Sequence, residues 1–298
     1  KNYLPKLAPS KTEDFSKAIE IIRNRSRLII KAGGGTRDHY LAVRQLSVIL
    51  GIPVVLSPGS TGVLEDSDRL NLHVGGSKGS ISGNFAMENA DAVIMIGSRA
   101  VCQADCSGIG YPKASEVINI NGDLDDITHY ANTVCLPGDI SAVIEELISQ
   151  LNGDTGKLLR ENWVLECAKK KSEWTLFKSK RVNGNVLKDD TWKRSVLTQP
   201  SAIHLVASFA KEYQAIKYFD AGDVQANGFQ LVEDDTPEQT FTEAGASFMG
   251  LAGALSCHYI KYIGPTSIEP LQATFLVWVM LIVGGAGSNK GAIFGAMI

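Results

Sequence analysis

The sequence lacks the features of several specialised protein classes. Its five cysteines are odd in number and match no zinc-ligand spacing, which favours reduced thiols and a cytoplasmic protein. The net charge of −3 and the pI near 6.0 give no indication of nucleic-acid binding. No repeat of solenoid length occurs. The first residues lack both Met and the apolar core of a signal peptide, so we expect them to lie within a longer protein.

Strand-like and helix-like segments alternate in the first half of the chain. Four apolar runs read as buried strands: RLIIKAGGG, IPVVLSP, DAVIMIGS and SEVINING. Amphipathic helices are predicted over residues 12–24 and 38–51, and a periodic helix closes the block after a short strand remnant. Continuously apolar strands are typical of a parallel sheet covered on both faces. Residues 1–152 are therefore predicted to form a doubly wound, Rossmann-like α/β domain.

The amino-acid composition changes after residue 152. Residues 153–199 are rich in basic side chains and are predicted to form a solvated polar helix and a linker, rather than an anion site. A helix near Pro200, the strand AIKYFDAG and a glycine turn then predict the start of a second α/β domain, over residues 200–250.

Two glycine-containing strand ends are candidate ligand sites. Gly33, Gly34 and Gly35 follow the first strand and could cradle a phosphate, although they lack the full G-x-G-x-x-G spacing. A tight structural turn is the alternative and is favoured for the motif alone. Arg99 follows another strand and is either a phosphate ligand or a surface residue.

The order of these motifs resembles the middle domain of thiamine-diphosphate-dependent enzymes of the acetolactate synthase type. The resemblance covers about 140 residues, including the glycine turn, the DAVIMIGSR strand end and the VININGD segment. Middle domains of this family hold FAD or ADP in some members and nothing in others. The resemblance implies that Gly33, Gly34, Gly35 and Arg99 are candidate nucleotide ligands.

Two later segments resemble the diphosphate-binding domain of the same family. In YFDAGDVQANGFQ the resemblance places three residues at the cofactor diphosphate: Gly222, Asp223 and Val224. Asp223 would repel an anion unless it caps the helix or faces a cation, and Val224 would act through its backbone. FTEAGASFMG resembles the turn that holds the aminopyrimidine ring, with Gly245, Met249 and Gly250 at the matching positions. The wording is nearest to the trihydroxycyclohexanedione hydrolases.

The family pattern is incomplete. The glutamate-bearing domain that activates the cofactor has no counterpart before Lys1, and no Gly-Asp-Gly motif for Mg²⁺ occurs. Residues 251–298 instead resemble the C-terminal part of a branched-chain amino acid ABC transporter permease. Within them, ATFLVWVMLIV has eleven uncharged residues, fewer than the ~20 of a membrane helix. The sequence is thus expected to be chimeric, with a truncated second domain and an apolar helical tail.

Three functions follow from these patterns. The first is a fragment of a thiamine-diphosphate-dependent enzyme acting on C–C bonds next to a carbonyl, inactive alone and binding no cofactor. The alternatives are a membrane transport component and a nucleotide-binding Rossmann-like module. The intact family uses thiamine diphosphate and Mg²⁺ and forms homo-oligomers. Membrane association, through residues 256–298, is expected only if the tail is genuine, and no nucleic-acid partner is expected.

Overall fold

The computed structural model describes residues 12–183, 186–191, 193–219 and 222–242. The chain divides into two compact units, Lys1–Gly245 and Ala246–Ile298. The second unit, with the predicted permease-like tail, lies outside the described residues, as do Gly245, Met249 and Gly250. No helix among the described residues is both long enough and apolar enough to span a lipid bilayer.

A six-stranded parallel sheet forms the centre of the first unit. Its strands are β1 (Leu28–Ala32), β2 (Val54–Leu56), β3 (Asn71–Val74), β4 (Ala92–Ile96), β5 (Glu116–Asn121) and β6 (Thr133–Pro137). They lie in the order β3-β2-β1-β4-β5-β6. Ile30 of β1 pairs with Val54 on one side and with Ile94 on the other. The α/β, doubly wound fold class predicted from the sequence is confirmed.

Helices cover both faces of this sheet. They are α1 (Thr12–Asn24), α2 (Tyr40–Leu50), α3 (Ile81–Asn89), the short α4 (Cys102–Asp105) and α5 (Ile140–Leu151). Short 3-10 helices occur at Gly34–His39, Pro58–Ser60, Cys106–Gly108 and Lys157–Arg160. The α1, α2 and α5 side chains form one core with Leu28 and Ile30, whereas α3 forms a second core with Ile29 and Val93. Alternate residues of the central strands therefore enter opposite cores, which explains why β1, β2 and β4 are apolar on both faces apart from Lys31.

Local sequence signals account for the helix ends. α2 ends at Gly51, which adopts a left-handed conformation (φ 62°) that costs little without a Cβ atom. α5 begins after Asp139, whose carboxylate accepts a hydrogen bond from the Ala142 amide at 3.0 Å. These boundaries agree closely with the predicted helices.

The long helix α6 (Glu161–Val182) occupies much of the predicted polar helix and linker. It is not solvated on all sides, because Trp163, Cys167 and Trp174 are buried. The Trp163 indole donates a hydrogen bond to the Leu28 carbonyl at 3.2 Å and stacks on Phe85 with ring centroids 5.8 Å apart. One face of the basic helix thus belongs to the second core of the sheet.

The remaining elements follow α6. They are β7 (Leu187–Asp189), β8 (Arg194–Val196), α7 (Gln199–Glu212), β9 (Lys217–Phe219), α8 (Asp223–Leu231) and β10 (Thr240–Thr242). β7 and β8 form an antiparallel pair, and β9 pairs with β10 in parallel. Arg44 of α2 donates a hydrogen bond to the Asp235 carbonyl at 2.7 Å. This bond connects the segment before β10 to a helix that packs on the central sheet.

Candidate functional site

A cavity of about 1030 Å³ lies at the carboxyl ends of the central strands. It is bordered by the residues that follow β1, β2, β4 and β5, and by β10 on the other side. The chain runs from β1 to β2 and β3 in one direction, and from β4 to β5 and β6 in the other. Ligands of open α/β sheets bind at such a reversal of strand order. The topology alone therefore makes this cavity the candidate site.

The glycine turn after β1 packs directly on the turn after β4. The Gly33 amide donates to the Ile96 carbonyl at 2.8 Å, and the Gly35 amide donates to the Gly97 carbonyl at 3.0 Å. A Cβ atom on Gly33 would lie 2.2 Å from the Gly97 oxygen, whereas at Gly34 the nearest atom would be 3.8 Å away. Gly33 and Gly35 are thus required by the close approach of two backbones. All three glycines also line the cavity.

Both cations and carboxylates line the cavity. Arg37 and Arg99 belong to the turns after β1 and β4, and the Arg99 side chain is exposed. The Arg37 guanidinium donates to the Gly34 carbonyl at 3.1 Å and lies 5.6 Å from the centre of the Phe241 ring. Asp123 and Asp126 follow β5. Asp38, beside Arg37, and Glu238, near β10, also line the cavity, so the wall offers both positive charge and hydrogen-bond acceptors.

Asn121, at the end of β5, connects these two parts. Its side-chain amide donates to the Ser98 carbonyl at 3.0 Å, and its oxygen accepts from the Asp123 amide at 3.1 Å. The Asn121 side chain thus fixes the turn after β4 relative to the loop after β5, which contains Asp123 and Asp126.

A buried charged pair lies below the β4 turn. Lys31 and Asp105 are both fully buried, with Lys31 Nζ 3.9 Å from Asp105 Oδ1. Burial lowers the pKa of the Lys31 ammonium to about 8, against the opposing effect of the Asp105 and Cys106 charges. Burial, with the neighbouring Asp105 charge, raises the pKa of Tyr111 well above its ordinary value and raises that of Tyr130 as well.

Gly222, in the predicted diphosphate turn, is exposed and has a positive φ of 93°. Apart from its chain neighbours, no atom of the described residues lies within 4 Å of where its Cβ would be. Asp223 begins α8 and faces a cation, because Lys78 Nζ lies 3.6 Å from its carboxylate. Val224 is partly exposed, and the next residue, Gln225, is buried and lines the cavity. The Asp223 charge is therefore partly offset. Among the described residues, no group of three or more His, Cys, Asp or Glu side chains could hold a metal ion.

The structure places Gly33, Gly34, Gly35 and Arg99 in the wall of one cavity, as binding of a single ligand by all four would require. Sequence reasoning missed Arg37, Asn121 and Phe241. Arg37 carried a usable signal, because it follows the glycine turn directly. Phe241 carried none, since its position depends on how β10 packs.

Comparisons with known proteins favour one family. Residues 15–147 match the family model of the thiamine pyrophosphate enzyme, central domain. Acetolactate synthase of Mycobacterium bovis (strain ATCC BAA-935 / AF2122/97) is 28% identical over 152 residues, which cover 50% of this chain and 24% of that protein. The 3D-(3,5/4)-trihydroxycyclohexane-1,2-dione hydrolase of Listeria monocytogenes serotype 4b (strain F2365) is 30% identical over 156 residues, which cover 51% and 24%.

The match is thus to one part of larger proteins. A probable acetolactate synthase large subunit of Methanococcus aeolicus is 28% identical over 151 residues, which cover 50% of this chain and 25% of that protein. The aligned region spans about a quarter of the length of each of these three relatives. The predicted resemblance to the thiamine-diphosphate-dependent enzymes is supported. These comparisons give no support to the permease resemblance of residues 251–298, which stays a prediction.

Proposed function

We propose that this chain is a section of a thiamine-diphosphate-dependent enzyme that makes or breaks a carbon–carbon bond next to a carbonyl. The observation that carries the proposal is the match of residues 15–147 to the central domain of that family. The relatives named above suggest an acetolactate synthase or a cyclic dione hydrolase as the whole enzyme. When bound, thiamine diphosphate supplies a carbon nucleophile and an electron sink.

The proposed cofactor contacts of this chain are at the start of α8. Gly222 and the amides of Asp223 and Val224 would meet the diphosphate at a helix N-terminus, with Lys78 offsetting the Asp223 charge. We propose that Gly245, Met249 and Gly250 would hold the aminopyrimidine ring, and that the whole enzyme uses Mg²⁺ and forms homo-oligomers.

Titration of thiamine diphosphate into this chain with Mg²⁺ tests whether the chain binds the cofactor on its own. We expect no saturable binding in the micromolar range, because the proposed diphosphate contacts, at Gly222, Asp223 and Val224, are few and exposed. Micromolar, Mg²⁺-dependent binding would contradict the proposed status of the chain as an inactive section. A Lys78→Ala variant then shows whether any weak binding occurs at the start of α8, because it removes the cation that faces Asp223.

A second proposed function is nucleotide binding in the cavity. Two observations favour it: the cavity lies where the strand order reverses, and its wall carries both arginines and carboxylates. Arg99 and the glycine turn would meet the phosphates, and Asp123 or Asp126 would accept hydrogen bonds from ribose hydroxyls. ADP and FAD are the ligands to test.

Substitution of Arg99 tests the nucleotide proposal. We expect Arg99→Ala to weaken ADP or FAD binding by about tenfold or more, which is the cost of one charged hydrogen bond. Arg69→Ala is the matched control, because Arg69 is exposed and does not line the cavity. Calorimetry measures both variants. The nucleotide proposal is wrong if the unsubstituted protein binds neither ligand, or if the two variants bind equally well.

A further inference from the structure

Asp105 lies at the centre of a buried polar cluster below the cavity wall. The Tyr111 hydroxyl donates to its carboxylate at 2.9 Å, the Ser98 hydroxyl donates at 3.3 Å, and the Tyr130 hydroxyl also donates. We call these residues and the ion-pair partner the Asp105 cluster: Lys31, Ser98, Asp105, Tyr111 and Tyr130. A carboxylate in a dry interior is stable only with such donors.

Lys31 fixes the cluster to the central sheet. Besides its ion pair with Asp105, its ammonium donates to the Leu56 and Gly75 carbonyls, each at 3.1 Å. These carbonyls lie at the ends of β2 and β3. The cluster therefore joins the carboxyl ends of three strands to the segment that follows β4.

That segment is held in a strained conformation. Ala100 and Cys106 have φ values of 49° and 50°, in the left-handed region that non-glycine residues rarely adopt. Such residues persist only where surrounding contacts determine them, and they concentrate at ligand clamps. The Ala100 amide donates to the Ser98 hydroxyl at 3.2 Å. Between the two strained residues, Val101 and Ala104 line the cavity, as does Arg99 immediately before them.

We propose that Asp105 is the positioning residue of the cavity. Its buried carboxylate holds residues 97–106 in the shape that presents Arg99 to an anionic group of the ligand. This inference rests on the proposed nucleotide site, and Asp105 itself is too deeply buried to touch a ligand. The Asp105 cluster would therefore contribute to ligand binding as well as to the packing of the protein interior.

Hydrogen–deuterium exchange tests the positioning role without any ligand. Asp105→Asn keeps the side-chain shape, but it removes the charge that Lys31 and the hydroxyl donors face. Asp234→Asn is the matched control, because Asp234 forms another buried ion pair, with Lys217 at 2.9 Å, away from this segment. We expect residues 97–106 to exchange about tenfold faster in Asp105→Asn than in the control, with β1 and β4 equally protected in both.

Two exchange results would overturn the proposal. In one, residues 97–106 stay as protected in Asp105→Asn as in Asp234→Asn. In the other, the whole sheet loosens in Asp105→Asn, which would make Asp105 a general stability residue.

ADP titration gives the second readout. We expect ADP to bind about tenfold more weakly to Asp105→Asn than to Asp234→Asn, because Arg99 is no longer held in place. Equal affinity in the two variants would overturn the positioning role. If the unsubstituted protein binds no ADP, the nucleotide proposal fails, and the exchange comparison alone decides whether Asp105 holds the segment.

A milder variant covers the case in which Asp105→Asn does not fold. Tyr130→Phe removes one donor to Asp105 and keeps the ring, and Tyr213→Phe, at an exposed tyrosine, is its control. We expect about threefold faster exchange over residues 97–106 in Tyr130→Phe only, for the loss of one hydrogen bond. No local difference between these two variants would overturn the proposal.

Discussion

Arg160 is a buried side chain that joins the ends of two helices. Its guanidinium donates to the Ile22 carbonyl at 2.6 Å, to the Leu50 carbonyl at 3.0 Å and to the Arg25 carbonyl at 3.2 Å. These carbonyls lie at the C-terminal ends of α1 and α2, where no helical amide is available. Burial lowers the pKa of Arg160 to about 10, which leaves it charged at neutral pH. The residue was one of several basic residues in a region predicted to be a linker.

Replacing Arg160 tests this role. We expect Arg160→Met to lower the free energy of unfolding by about 3 kcal/mol, because several buried carbonyls lose their donor. Arg69→Met, at an exposed arginine, should change it by less than about 0.5 kcal/mol. Urea denaturation measures both. Equal stability of the two variants would contradict the account of Arg160.

Lys31 should make stability depend on pH. Its pKa is about 8 in the folded chain and near 10.5 in the unfolded chain, so the unfolded chain binds more protons between these values. The free energy of unfolding should therefore rise with pH across this window, by an amount on the order of 3 kcal/mol. Below about pH 8 the cost of the buried charge is fully present.

The measurement is a set of urea denaturation curves from pH 7 to above pH 10. Other lysines and tyrosines also titrate there, so the relevant quantity is the difference between the unsubstituted protein and Lys31→Met. We expect the free energy of unfolding of the unsubstituted protein, relative to that of Lys31→Met, to rise with pH across this window. Parallel pH profiles for the two proteins would show that Lys31 has an ordinary pKa.

Among the elements, the apolar strands and amphipathic helices were predictable, and the polar or irregular ones were not. β1, β2, β4 and β5 all lie within predicted strands, because each is rich in buried apolar residues. β3 was missed because it is four residues long and contains Asn71 and His73, the latter with a φ of 63°. α3 was missed because Gly83 and Asn84 interrupt its pattern, although Ser80 caps it by accepting from the Gly83 amide at 2.9 Å.

The approach to β10 packs on the loop after β2 at Gly62. A Cβ atom on Gly62 would lie 2.0 Å from the Thr236 carbonyl oxygen. We expect Gly62→Ala to detach residues 232–242, seen as faster amide exchange there with β1 and β4 still protected. Gly153→Ala is the control, because its φ of 81° is close to the 82° of Gly62, and no atom of the described residues other than its chain neighbours lies within 4 Å of the added Cβ. Equal effects of the two changes would mean that backbone strain alone, and no steric contact, limits position 62.

At the level of the whole molecule, part of the candidate site could be predicted from the sequence and part could not. The glycine turn and Arg99 end two separate apolar strands, so the sequence could place them at one edge of a parallel sheet. Arg37, Asn121 and Phe241 depend on side-chain directions and on the packing of β10, which no local pattern encodes. The Lys31–Asp105 pair was also beyond reach, because a lysine inside a strand carries no sign of its partner.

Residues 15–147 match the central domain of thiamine pyrophosphate enzymes, and we propose that the whole protein is one of these enzymes. The most direct test is a single long DNA read across the codons for residues 200–298, followed by assay of the protein encoded by the full reading frame. We predict that acetolactate synthase or cyclic dione hydrolase activity appears only when thiamine diphosphate and Mg²⁺ are present. A full-length protein with no such dependence on thiamine diphosphate, for either activity, would contradict the proposal.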